Sequence, residues 1–268
     1  MIIPTPYLLD NAGHEAPTRF AALAAMFDAG TIHHLDARGV GPGWRCLEVG
    51  GGGGSIAAWL ADRVGPAGRV LVTDIDPRHL ESLGRARAGN VDVQRHDIVA
   101  DPLPEAAFDL IHLRLVFMHL REWRLVLRKL LAALKPGGWL VDEEFDSDAV
   151  PPDPMISPGE VLLPTHVAMG RLMVERGWDR RCGRLLYGRL RAHGFTGVGA
   201  EARMFMLTPG SPGVALIRAN CDQLRDDMLQ AGYVTAADFD RDLARLDDPD
   251  FMAPSSMMWT AWGRRPIA

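Results

Sequence analysis

The chain has 268 residues, 47% apolar and 24% charged, the proportions of an ordinary globular protein with length for one large or two small domains. Its 34 acidic against 29 basic residues leave a net charge of −5 and a pI near 6.0, which excludes a chain built chiefly to neutralise a polyphosphate backbone. Cys46, Cys182 and Cys221 are odd in number, far apart and free of CxxC or CxxxH spacing, so neither a disulfide framework nor a structural zinc site is expected. No apolar run reaches the roughly 18 residues of a membrane span and no basic, apolar leader is evident; the expectation is a soluble, cytoplasmic protein with no membrane partner.

Residues 14–38 read as a helix, with Phe20, Leu23, Met26 and Phe27 at helical spacing. Trp44–Val49 is a short apolar strand that runs into five consecutive glycines, Gly50–Gly54. A helix follows over Ser55–Val64, then a strand over Arg69–Asp74, and a helix from Pro77 to about Arg87, its proline suited to the first turn. Further strands are expected at Val91–Arg95, Phe108–Leu113 and Trp139–Phe145, with a helix over 121–134 stopped by Lys135-Pro136-Gly137-Gly138. Strands alternating with helices predict a parallel sheet covered on both faces, an α/β doubly wound fold. Beyond Asp148 the alternation stops. A proline-rich linker at 150–154 leads to helical stretches at 159–176 and 182–193, a strand at 196–207, helices at 212–230 and 235–246, and a last strand at 256–264. These helices are expected to cap the carboxyl edge of the sheet within one domain, 1–268: an N-terminal helical lid at 1–39, a core at 40–149, and cap insertions at 150–193 and 208–250.

A strand that ends in glycines and opens a helix lets a ligand approach the backbone and offers it free N–H groups. Asp74, 24 residues after Gly50 at the end of the second strand, is placed to accept both hydroxyls of a ribose. Gly52-x-Gly54-x-x-Ala57 formally satisfies the dinucleotide fingerprint, so a nicotinamide or flavin oxidoreductase is a competing reading. Glu48 opposes it, because a carboxylate two residues before the glycines repels a pyrophosphate but suits a ligand with a cationic amine or sulfonium. No GK[ST] follows the glycines, which disfavours a nucleoside triphosphate.

Leu47-Glu48-Val49-Gly50-Gly51-Gly52-Gly53-Gly54 resembles motif I of the class I S-adenosylmethionine-dependent methyltransferases. Val72-Thr73-Asp74-Ile75-Asp76, His96-Asp97-Ile98, Phe108–Leu113 and Leu134-Lys135-Pro136-Gly137-Gly138 match that family's later segments in order and spacing. Together they cover about residues 40–146. YLLDNA near the start and AWGRRP near the end extend a looser likeness to bacterial enzymes acting on small molecules of secondary metabolism. The resemblance implies a Rossmann-like, seven-stranded sheet and S-adenosylmethionine as cofactor. Glu48, Gly50, Gly52 and Gly54 would line it, Asp74 would hold the ribose, and Ile75, Asp97 and Ile98 would surround the adenine. A backbone carbonyl near Leu113 and Arg114 would face the methionine amine, while Tyr7 and Arg19 of the lid would close over the methionine end. The implied activity is methyl transfer to an O or N atom of a small molecule, a natural-product intermediate. The alternative is a protein of this fold that binds S-adenosylmethionine for a non-methylating role, as a cyclase or a binding protein. No nucleic-acid partner is expected, since the charge is acidic and no [DN]PP[YFW]-like motif follows the fourth strand; a homodimer is the assembly considered.

Methyl transfer from a sulfonium is an in-line displacement that needs alignment and exclusion of water, and a base where the nucleophile is a hydroxyl or ammonium. His119, six residues beyond the fourth strand, is the candidate base or orienting group. Glu144 and Asp146 share one face of the fifth strand and Glu143 the other; Glu144 is a candidate for holding a cationic acceptor, and His166 of the cap a candidate substrate contact. His33-His34 lacks a third ligand nearby, so no metal is expected.

Overall fold

The computed structural model describes residues 8–148 and 163–267. Helix α1 (Ala16–Ala37) precedes β1 (Arg45–Val49), α2 (Ser55–Val64), β2 (Arg69–Asp74), α3 (Glu81–Ala86), β3 (Val91–Arg95), β4 (Phe108–Arg114), α4 (Trp123–Ala133) and β5 (Leu134–Asp146). The glycine and proline punctuation that separates these segments in the sequence marks their real ends. After them come α5 (Pro164–Glu175), α6 (Cys182–Ala192), β6 (Thr196–Arg203), β7 (Met206–Leu207), α7 (Pro212–Gln223), α8 (Arg225–Gln230), α9 (Ala236–Arg245), β8 (Ala253–Pro254) and β9 (Met257–Arg264).

Seven strands form one sheet in the order β3-β2-β1-β4-β5-β9-β6. The expected fold class, an α/β Rossmann-like doubly wound sheet with helical cap insertions, is the one observed, with one difference in direction. Strand β9 runs antiparallel to both β5 and β6, so the sheet is mixed. The expected strand at 196–207 divides into β6 and β7, the latter pairing with β8 in a separate ribbon.

Period-2 alternation sends Cys46, Val70 and Leu110 to one face, under α1 and α2, and Leu47, Ile111 and Leu140 to the other, under α4 and α6. Helix α6 therefore corrects the expected cap at 150–193. Its Cys182, Leu186 and Leu190 are buried in the sheet core, and among the described residues of that span α5 joins the cap. A second core unites Ala168, Met169 and Leu172 of α5 with Val214 and Ile217 of α7, Met228 of α8, and Phe239 and Leu243 of α9. Helix α1 bridges the two layers, packing along α7 and against α2 and β5.

Gly183 lets α6 lie directly on β5. A Cβ there would stand 2.5 Å from the Glu144 carbonyl oxygen and 2.7 Å from the Trp259 ring, and strand backbone has no room to yield. We expect Gly183→Ala to destabilise the fold by about 1–3 kcal/mol through overpacking. Denaturant unfolding checks this; an unchanged midpoint would mean that α6 can lift off the strand at no cost.

Candidate active site

The strand order reverses beside β1, whose neighbours β2 and β4 lead away in opposite directions; an open α/β sheet offers a crevice at the carboxyl ends of such strands. Here the crevice is a cavity of about 1310 Å³, walled by the glycine turn, the ends of β2 and β4, helix α1 and the cap.

The glycine turn is held to β2. Gly50 and Gly51 donate their N–H groups to the Thr73 carbonyl at 2.8 and 3.0 Å, and Gly52 donates its own to Asp74 Oδ2 at 3.0 Å. Gly52 has φ +52 and Gly54, the residue before α2, has φ +82, a region costly for residues with a Cβ. Phe20 of α1 lies on the turn, so that a Cβ at Gly53 would sit 2.8 Å from it. The close approach at Gly52 and Gly53 is thus made by the lid helix as well as being open to a ligand.

Asp74 is buried at the end of β2. Its Oδ1 accepts from the Asp76 amide at 2.9 Å and from Asn11 Nδ2 at 3.4 Å. Burial raises its pKa above the usual carboxylate range, with the Asp76 and Gly52 amides opposing the rise. Ile75, Asp97 and Ile98 line the same cavity; Asp97 Oδ1 accepts from Val99 N–H at 2.8 Å, which fixes the loop after β3. Gly50, Gly52, Glu48 and Arg19 are also in the wall.

Several expectations need correction. Gly54 is not in the wall; it faces Leu80 and Leu83 and serves the turn into α2. The Leu113 side chain is fully buried in the sheet core, so its backbone, the part expected near the donor, is what that strand end presents. Arg114 reaches the wall, but its guanidinium is tied to Asp28 at 2.9 Å and Thr31 at 3.1 Å. Arg19 donates to Gln223, to the Leu9 carbonyl at 2.9 Å and to Asn11 Oδ1 at 3.1 Å, so it pins the lid segment to α7. Tyr7 lies outside the described residues.

Glu144 is the largest correction. It is fully buried beneath the loop after β4 and accepts from the amides of Val116, Phe117 and Met118 at 2.8, 2.6 and 3.1 Å. It shapes the loop that carries His119 and is not part of the cavity wall. Burial pushes its carboxyl up to about 8 against the pull of those amides. His119 and His166 do line the cavity. Burial, with Arg19 nearby, depresses His119 to about 4, and burial with Arg180 lowers His166; both imidazoles are neutral at pH 7. Among the described residues no group of three or more His, Cys, Asp or Glu could hold a metal ion.

Sequence reasoning missed Asn11, Phe20 and His112. Asn11 sits within the YLLDNA stretch already singled out; nothing local distinguishes Phe20 from an ordinary core residue. His112 of β4 lies opposite Glu48 of β1, and its Nδ1 meets Glu48 Oε2 at 2.7 Å while Nε2 stands 3.5 Å from Glu143 Oε2. Burial alone would lower His112, but the two carboxylates outweigh it and hold it up at about 9. Glu143 is fully buried too, yet its partners His112, Arg114 and Thr260 bring it down to about 2.

A methyltransferase-domain family profile matches residues 47–140, the span from the strand before the glycines into β5. Over that span the chain is similar to methyltransferase domains. The ubiquinone/menaquinone biosynthesis C-methyltransferase UbiE of Ectopseudomonas mendocina is 33% identical over 150 residues, covering 49% of this chain and 58% of that protein. The UbiE of Vibrio cholerae is 30% identical over 161 residues, 53% and 62% of the two. The matched part thus spans about six-tenths of these curated relatives. Among solved structures, phosphoethanolamine N-methyltransferase 2 of Haemonchus contortus, in complex with S-adenosylhomocysteine, aligns with TM-score 0.62 at 15% identity, covering 99% of this chain and 61% of that one. The [4+2]-cyclase SpnF aligns with TM-score 0.56 at 22% identity, covering 90% and 81%. Both likenesses show the fold.

Two outcomes follow from these positions. Asp74→Ala should weaken S-adenosylhomocysteine binding by about 2–3 kcal/mol, the worth of hydrogen bonds to an ionised partner; calorimetry on a folded variant measures it, and unchanged affinity removes Asp74 from the site. Stability should fall as pH rises from 7 to 9.5. His112 is raised above its unfolded value near 6.5, so its contribution is complete below that pH and disappears as pH passes about 9; Glu144, raised to about 8, adds to the loss over its own upper range. Melting temperatures across that range test the sign.

Proposed function

We propose that the protein transfers a methyl group from S-adenosylmethionine to an oxygen or nitrogen of a small, largely apolar molecule, a natural-product intermediate. The observation that carries this reading is the continuity of the cavity. One end is bounded by the glycine turn, Glu48, Asp74 and Asp97, and the other by Met26, Met118, Met169, Met173, Trp178 and Ile217. Its 1310 Å³ exceeds the roughly 300–1,000 Å³ of a site for one drug-sized ligand, leaving room for a nucleoside and an acceptor side by side.

The residues fit the donor. A buried carboxylate whose oxygens already gather amide N–H groups suits a ribose diol, and a second carboxylate in the same wall suits a cationic amine. When bound, S-adenosylmethionine supplies a methyl group on a sulfonium. Asp74 and the Asp97 loop would fix the nucleoside, Glu48 the amino-acid end, and the cap would exclude water and align the acceptor. His119 contributes as an orienting group: a neutral imidazole accepts a hydrogen bond from a hydroxyl or amine and turns that O or N toward the donor. Its depressed pKa makes it a weak base, which favours acceptors that are already good nucleophiles.

The test is release of S-adenosylhomocysteine on incubation with apolar phenols and amines, with the methylated atom assigned by mass spectrometry and NMR. Binding of the donor with no methylation of any acceptor would support the cyclase or binding role instead, and a carbon-methylated product would move the acceptor atom to that of the UbiE C-methyltransferases. His119→Gln should slow single-turnover methyl transfer by up to about 10²-fold, the cost of a misaligned reactant. Because His119 stays neutral above about pH 4, the wild-type chemical step should not fall between pH 8 and pH 5.5. A rate that drops with a midpoint near 6.5 would instead assign it the role of a base with ordinary pKa.

A further inference from the structure

We propose that His112 is a positioning residue for the amino-acid end of the donor: it holds Glu48 Oε2 so that Glu48 Oε1 faces the cavity and receives the donor's cationic amine. This rests on the proposed function. Parallel pairing of β1 and β4 puts Glu48 and His112 at the same level of the sheet, beside the glycine turn. Both are buried, His112 completely and Glu48 with 4% of its surface exposed, and Glu48 is in the cavity wall. The 2.7 Å contact from Nδ1 takes one carboxylate oxygen and leaves the other as the atom that can meet a ligand.

A buried carboxylate without a partner is costly, and its side chain is free to rotate. The imidazole at Nδ1 opposes both, provided that it is itself held in place. Glu143 of β5 does that from the opposite side, 3.5 Å from Nε2. Glu143 is in turn held by Arg203 Nη2 at 2.7 Å, by Thr260 at 2.6 Å and by Thr31 of the lid helix. The groups facing the pair are thus Glu143 of β5, Arg203 of β6 and, from α1 and β4, Asp28 with its partner Arg114. His112, Arg203 and Arg114 thus stand among the carboxylates of Glu48, Glu143 and Asp28. An apolar residue at position 112 would have filled the same space in the sheet; the imidazole is there for Glu48.

The probes are S-adenosylhomocysteine and its desamino analogue, 5′-S-(3-carboxypropyl)-5′-thioadenosine, which lacks only the α-amine. Wild type should bind the first more tightly. His112→Leu should lower affinity for S-adenosylhomocysteine at least tenfold and leave the analogue within about twofold. His112→Asn, whose amide can occupy the Nδ1 donor position without the charge, should fall between. A role confined to packing would move both ligands by the same factor, and that result, or no change in either, overturns the inference. If the leucine variant does not fold, the asparagine variant carries the same comparison, with analogue binding as its internal proof of a native site. A wild-type protein that binds neither nucleoside overturns the proposed function and this inference with it, whereas equal losses in the variants overturn the inference alone.

Discussion

Strand β5 places Asp142, Glu143, Glu144 and Asp146 in the sheet with none of their surface exposed, and much of the architecture consists of the means by which that is tolerated. Burying a carboxylate without a partner costs several kcal/mol, so each side chain dictates what must lie against it. Glu143, on one face, takes His112, Arg203, Thr260 and Thr31. Asp146, on the other, takes Arg184 of α6. Glu144 takes three amides of the loop after β4. Asp142 has no hydrogen-bond partner at either oxygen among the described residues; burial and the neighbouring Glu144 raise its carboxyl well above the usual carboxylate range. One strand thus uses ion pairs on both faces, Glu143 toward the lid and Asp146 under α6, and backbone amides at Glu144.

This arrangement couples the lid to the floor of the cavity. Thr31 of α1 donates to Glu143 and accepts from Arg114, which also holds Asp28 of the same helix. Farther along, Phe20 rests on the glycine turn and Arg19 holds the Leu9–Asn11 segment, from which Asn11 touches Asp74. The lid is thus fastened at its far end by ion pairs and at its near end by hydrogen bonds in which Arg19 and Asp74 take part.

The sequence makes the core legible because its punctuation and its chemistry coincide. The glycine run, Gly65–Gly68 and Lys135–Gly138 are both the breaks between elements and the turns a doubly wound sheet requires, and β2 and β3 were expected within their observed limits. Asp74 and Asp97 could be placed because strand ends in such a sheet converge on one crevice. Period-2 patterning assigned Glu144 to a face correctly but could not say what covers that face. An acidic residue near a strand end reads as solvent- or ligand-facing until α6 is known to lie over it, and α6 was itself assigned to the cap because an amphipathic helix does not announce which layer it joins. His112 escaped for a related reason. Its partner is 64 positions away, and only the register between β1 and β4 makes the pair.

The cavity also separates two kinds of material. Its floor is made of the glycine turn and of carboxylates held at fixed distances by the sheet and its loops. Its roof is built largely on the cap, with Met169 and Met173 of α5 and Leu216 and Ile217 of α7, while Met26 and Met118 complete the apolar walls from α1 and the loop after β4. Methionine is unbranched and polarizable and adapts to irregular surfaces, and these side chains make few directional demands. The polar part of the wall is therefore tied to contacts that hold the sheet together, whereas the apolar part is set by residues whose exchange for others of similar volume costs little. On the function proposed above, acceptor preference can change on this framework without disturbing the floor. The converse does not hold, because altering Glu48 or Asp74 disturbs the buried polar network itself.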